Sequence, residues 1–174
     1  MKWVLLIMIL LAAGFLEELY RYIFCRNSSW LFTRLFDSKG HEEAYYEYRK
    51  RGEEKLKTLP QKIFTMETPK GENLKGFYYE NGARGRKIAF LVHGYRSDHA
   101  DTGGMAYDYY AGRGFDVFAP DHRAAGESEG RFIGFDVLES RDCLEWIDFL
   151  KRNSARIFKL YFTVSPWEPP RSCR

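Results

Sequence analysis

The hydrophobic pattern divides the chain into stretches of different rhythm. After Met1-Lys2, an uninterrupted apolar run extends from Trp3 to Leu16, breaks at Glu17-Glu18, and resumes as the mixed aromatic stretch Leu19 to Phe24. From Asn27 to about Leu59 the chain is polar, charged and tyrosine-rich. Within it, His41 to Lys50 sets acids before bases at helical spacing, which predicts a solvated surface helix. After Pro60 the period changes to two. Gln61 to Glu67 and Leu74 to Glu80 flank Pro69-Lys70-Gly71-Glu72-Asn73, the pattern of a hairpin, and Asn81 to Gly85 is a turn. Lys87 to Val92 is a continuous run of β-formers, which predicts a strand buried on both faces. A short helical stretch, Gly104 to Ala111, ends at Gly112-Arg113-Gly114. Phe115 to Pro120 is a second buried strand. Val137 to about Arg152, with Leu138, Leu144, Ile147 and Leu150 beside Trp146 and Phe149, is an amphipathic helix. Hairpin, strand, helix, strand, helix predicts an α/β domain with a mostly parallel sheet.

The N-terminal run is short for a membrane span, which normally takes about 20 apolar residues. Its length and leading lysine also fit a signal peptide, but Ala12-Ala13-Gly14 is a poor cleavage site. The tyrosines and arginines that follow resemble an anchor's interfacial flank. An uncleaved signal anchor is therefore expected, with a cleaved signal and a buried amphipathic helix as the alternatives. Lys2 stands against Arg21 and Arg26, so the positive-inside rule leaves orientation open. The expected organisation is a transmembrane or signal-anchor segment over 1–25, a juxtamembrane helical linker over 26–60, the domain over 61–153 and an aberrant tail over 154–174. The expected location is a membrane, with the cell surface as one placement.

Composition narrows the functions. With 174 residues, 45% hydrophobic and 17% aromatic, the chain can build one packed domain. A net charge of +3 without a basic stripe excludes a nucleic-acid groove. Cys25, Cys143 and Cys173 are scattered and odd in number, which argues against a disulfide framework or a structural zinc site. Cys143 reads as a buried, inert thiol. His93, Asp98, His99, Asp101, Asp121 and His122 offer ligand atoms, but no spacing sets two on one helix face, so no metal is expected.

In open α/β sheets, sites lie at the carboxyl ends of the strands. Here those ends carry His93-Gly94-Tyr95-Arg96-Ser97-Asp98 and Asp121-His122-Arg123-Ala124-Ala125-Gly126-Glu127-Ser128-Glu129-Gly130. A buried strand followed by His-Gly, and then Pro120-Asp121-x-Arg123-x-x-Gly126-x-Ser128, resemble two successive loops of the α/β-hydrolase family. Phe135 to Leu150 resembles the next helix of its bacterial membrane-associated, serine-aminopeptidase-like members. The resemblance covers about Ile63 to Arg152 and departs at Ala125, where the family often has histidine. It implies an α/β-hydrolase fold, N-terminal half only. It also implies that Gly94 opens the oxyanion loop and that Tyr95 presents one backbone N–H of the oxyanion hole. His93, Asp121, Arg123, Gly126 and Ser128 are then structural loop residues near the site. The implied activity is serine hydrolysis of an ester, amide or related acyl bond. The full-length form would take a small-molecule or peptide substrate, with no cofactor and no nucleic acid. The alternative is a non-catalytic membrane-tethered fragment or interaction protein.

Gly126-Glu127-Ser128-Glu129-Gly130 is a literal G-x-S-x-G, the pattern of a nucleophile elbow. An elbow joins strand to helix directly, whereas Asp121 to Ala125 separate this one from its strand. Its two glutamates would also oppose deprotonation of a hydroxyl. The expected nucleophile position, after a fifth strand, falls in the three-proline tail, whose prolines suit neither a central strand nor a helix interior. Read two bases later, the codons of Phe162 to Glu168 permit His-Gly-Val-Ser-Met-Gly, with the final glycine forced. A reading-frame change near Asn153 is therefore expected. The chain would then lack nucleophile, acid and histidine, and its buried strand would become an unpaired edge prone to aggregation.

Overall fold

A computed structural model describes residues 2–26, 43–81, 87–153 and 159–164. The elements in chain order are α1 (Lys2–Phe24), α2 (Glu43–Thr58), β1 (Gln61–Glu67), β2 (Asn73–Tyr79), β3 (Lys87–Val92), α3 (His99–Ala111), β4 (Asp116–Pro120), α4 (Glu139–Asn153) and β5 (Lys159–Val164). They form a five-stranded sheet in the order β1-β2-β4-β3-β5. The hairpin pairs antiparallel and β2 runs antiparallel to β4, while β4, β3 and β5 are parallel.

Alternation along the central strands splits the core into two layers. Ala89 and Leu91 of β3, with Val117 and Ala119 of β4, meet Leu56, Phe77, Tyr79, Tyr107 and Phe115 on the face covered by α2 and α3. Ile88, Phe90 and Phe118 point the other way, against Met66, Leu74, Trp146 and Leu150 under α4. Apolar side chains on both faces account for the unbroken hydrophobic runs in the sequence.

Four expectations change. α3 begins at His99 rather than Gly104, because Asp98 caps it by accepting from the Asp101 N–H. The glycines that obscured this start serve packing: a Cβ on Gly104 would lie 2.6 Å from a Gly52 backbone carbon. α2 is correspondingly no solvated linker, since it crosses α3 at those glycines and buries Leu56 in the core. In α4, Trp146 and Leu150 are buried while Leu144 faces solvent. Finally, β3 is no unpaired edge. β5 pairs with its whole length, Lys87 opposite Lys159 through Val92 opposite Val164. Leu160-Tyr161-Phe162-Thr163-Val164 is a run of good strand formers that ends before the first proline of the tail. Residues 165–174 lie outside the described residues.

The glycine crossing is testable. Gly104→Ala should destabilise the domain by about 1–3 kcal/mol in denaturant titration, because backbone cannot yield as a side chain can. Gly14→Ala, which meets nothing within 4 Å, is the neutral control. Equal stability of the two variants would refute the close helix crossing.

Candidate active site

Parallel strands β3 and β4 deliver their following loops side by side, and a network of buried polar groups fixes both. Asp121, the residue after β4, is fully buried. Its carboxylate accepts from the backbone N–H of His99 (2.7 Å), from His99 Nδ1 (3.0 Å) and from the N–H of Glu127 (2.7 Å). Burial alone would raise its pKa, but these bonds and the neighbouring His99 hold the carboxyl below its ordinary value. The His99 ring stacks on Phe77, with centroids 3.4 Å apart. One carboxylate thus joins the start of α3 to the loop after β4.

His93 makes the second link. Its Nε2 accepts from the His122 N–H (2.9 Å), so Nδ1 carries the proton and donates to Gly94 O (2.8 Å). Burial, then the adjacent His122, pushes its pKa down to about 4, so the ring is neutral at pH 7. Both ring nitrogens are occupied in holding loops together. Arg123 makes the third link, with Nε and Nη2 on the two oxygens of Asp142 in α4 (2.8 and 2.6 Å) and Nη1 on Glu72 of the hairpin turn (3.1 Å).

Ser128 is fully buried. Its hydroxyl donates to Asp121 O (2.7 Å) and accepts from the Lys75 N–H (2.9 Å). Gly126, at φ 47°, lies so close to the Asp121 carboxylate that a Cβ would overlap it. The literal G-x-S-x-G is therefore a buried brace whose serine has its donor and acceptor roles filled. The structure brings Asp121, Gly126 and Ser128 together, joins His93 to His122, and ties Arg123 to Asp142 and Glu72 beside the same cleft.

Gly94 and Tyr95 lie at the mouth. The Tyr95 N–H meets no acceptor among the described residues. Arg96 and Ala124, one in each loop, are held at φ 57° and 59°, a left-handed conformation that non-glycine residues keep only when their surroundings enforce it. The loops border an open cleft of about 700 Å³ whose lining includes Gly94, Tyr95, His122, Ala125 and Phe135. Among the described residues, no three His, Cys, Asp or Glu side chains gather to hold a metal ion.

Sequence reasoning missed the partners. Nothing local links His99 to Asp121, Arg123 to Asp142, or Arg26 to the loop after β4. Arg26 nevertheless donates to Gly126 O and Ser128 O from about a hundred residues away. A helix start at Asp98 would have pointed to His99.

Comparison with solved structures gives this geometry its place. An esterase from Pyrococcus furiosus, in three crystal forms, superimposes with TM-scores of 0.53–0.56 at 25–26% identity over 63% of this chain. The chain has an α/β-hydrolase fold. It spans 41–44% of that esterase's length. An α/β hydrolase from Vibrio vulnificus is also similar, at 16% identity, TM-score 0.46, over 73% of this chain and 44% of its own. No protein-family model and no curated protein matches the sequence. In this hydrolase fold, the His93 and Asp121 loops occupy the strand ends where the fold builds its sites.

Buried His93 and half-buried His122 make stability pH-dependent. His93 is depressed to about 4 and His122 is also lowered by burial. The unfolded chain therefore binds more protons below about pH 6.5, and stability should fall as pH drops from there towards 4. His93→Gln should shrink that slope in denaturant titrations at stepped pH. An unchanged slope would contradict a neutral His93.

Proposed function

We propose that this chain is the N-terminal part of a serine hydrolase that cleaves an ester, amide or related acyl bond and is tethered to a membrane by α1. The observation that carries this reading is the Tyr95 N–H just after β3, which has no acceptor among the described residues, on a strand flanked by β4 and β5. Acyl transfer passes through an oxyanion that needs preorganised donors aimed at empty space. The hydrolase fold takes one donor from the loop after this strand. Gly94 has no Cβ, so the backbone there can approach an acyl carbonyl closely.

In this reading the nucleophile belongs to the turn after β5, and an acid and a histidine follow in chain order. β5 supports that placement, because Val164 pairs with Val92 and the strand ends beside the oxyanion loop. The frame two bases later, with His-Gly-Val-Ser-Met-Gly, would put the elbow there, and the 174-residue chain itself would be inactive. The tether is supported by α1, which is long and apolar enough to cross a membrane and exposes its apolar residues from Trp3 to Leu11. A bilayer removes the cost of leaving that surface in water.

The test compares two products. The 174-residue chain should take up no fluorophosphonate probe, whereas the shifted-frame product should label at the elbow serine. In the labelled product, Tyr95→Pro removes the N–H and should cut kcat by about 10²-fold with KM little changed. Stoichiometric labelling of a serine in the 174-residue chain, or turnover of Tyr95→Pro within about threefold of the parent, would overturn the assignment. Both products should stay with membranes through carbonate extraction; release into the supernatant would remove the tether.

A further inference from the structure

The last turn of α1 is built into the mouth of the cleft. A helix ends with carbonyls that have no partner within the helix, and here the site loops supply donors to three of them. Arg96 Nη2 donates to Tyr22 O (2.6 Å), Tyr95 Oη to Ile23 O (2.8 Å), and the Ile133 N–H to Phe24 O (2.8 Å). The chain then continues along the loop after β4. Cys25 bridges to Phe132, the Arg26 N–H donates to Arg131 O, and the Arg26 guanidinium caps Gly126 O and Ser128 O. Cys25 and Arg26 themselves line the cleft.

Around this junction the surface carries exposed aromatic rings and arginines, with Asp136 as an acid beside Phe135 and Arg21 paired to Glu17. Phe24 packs on Tyr20 and Phe135, Phe132 lies by Tyr20, and Tyr95 stacks on Phe135. All five rings stay substantially exposed. Arg96 lies over the Tyr22 ring and Arg131 over that of Phe132. Exposed aromatic rings mixed with arginines, directly following an apolar helix, match the chemistry of a bilayer's headgroup zone. A helix of 23 residues is about 35 Å long, slightly more than the hydrocarbon core, so its last turn emerges among the headgroups.

We infer that this collar lies in the membrane interface, so that the cleft opens onto the bilayer and takes its acyl substrate as a lipid ester drawn from it. The inference rests on the proposed membrane tether and acyl-hydrolase reading, and narrows the substrate to one reached from the lipid side. Three hydrogen bonds from the site loops to the helix end hold the mouth to the membrane side whichever way α1 is oriented.

The test uses the intact 174-residue chain in vesicles of phosphatidylcholine and phosphatidylglycerol. The vesicles include a phosphatidylcholine that carries a diazirine on one acyl chain. After illumination, the adducts are mapped by mass spectrometry. Adducts are expected both along α1 and on the collar, at Tyr95, Phe132 and Phe135. Phe132→Glu combined with Phe135→Glu should lower the yield on the Tyr95 peptide at least fivefold while leaving α1 adducts in place. Adducts confined to α1, in the parent chain, would overturn the inference and leave the tether standing. Absence of adducts from α1 as well would overturn both.

Discussion

The site depends on one buried charge. Asp121 ends β4 inside the protein with no water-facing surface, and an unsatisfied carboxylate there would be costly. Three donors answer it, two from His99 and one from Glu127. Because those donors sit at the start of α3 and in the loop after β4, satisfying the charge fixes where both loops go. The main chain of the same residue adds two anchors: its N–H reaches Lys75 O and its carbonyl takes the Ser128 hydroxyl. His93, kept neutral by burial, and Arg123, clamped on Asp142, extend the bracing to the β3 end and to α4. The cost of ordering these polar groups falls on the loops, while the apolar layers of the sheet supply the stabilisation.

This bracing separates two kinds of residue that the sequence runs together. His93, Asp121, Arg123 and Ser128 have their hydrogen-bonding capacity engaged internally. Gly94 and Tyr95 line the cleft, and the Tyr95 N–H meets no acceptor among the described residues. A serine set in G-x-S-x-G would ordinarily attract attention as a nucleophile. Here its hydroxyl is buried and bonded on both sides, and the pattern stands five residues beyond its strand.

The strands were legible because the physics behind them is local. Burial on both faces writes an unbroken apolar run, which is how Lys87–Val92 and Phe115–Pro120 announce themselves. The hairpin was legible from its period-two rhythm and turn residues. What was not legible depended on distant partners. Leu56 is the lone leucine among charged residues in the second half of α2, and only the Gly52–Gly104 crossing shows why it is buried. β5 was obscured by the prolines that follow it. The two site loops could be named from sequence, but the His99–Asp121 and Arg26–Ser128 contacts that hold them could not. The docking of α1 against the cleft left no local trace, since its hydrogen bonds join residues more than seventy apart.

If a single buried carboxylate positions both loops, weakening it should loosen them while the sheet remains intact. Amide hydrogen exchange on Asp121→Asn tests this most directly, because the amide presents a donor where the carboxylate accepted. The account predicts that protection of the His99 and Glu127 amides falls by about 10²-fold, in line with losing a charge-assisted hydrogen bond. Amides of β3 and β4 should keep the protection of the parent protein. Unchanged protection at His99 and Glu127 would contradict the account.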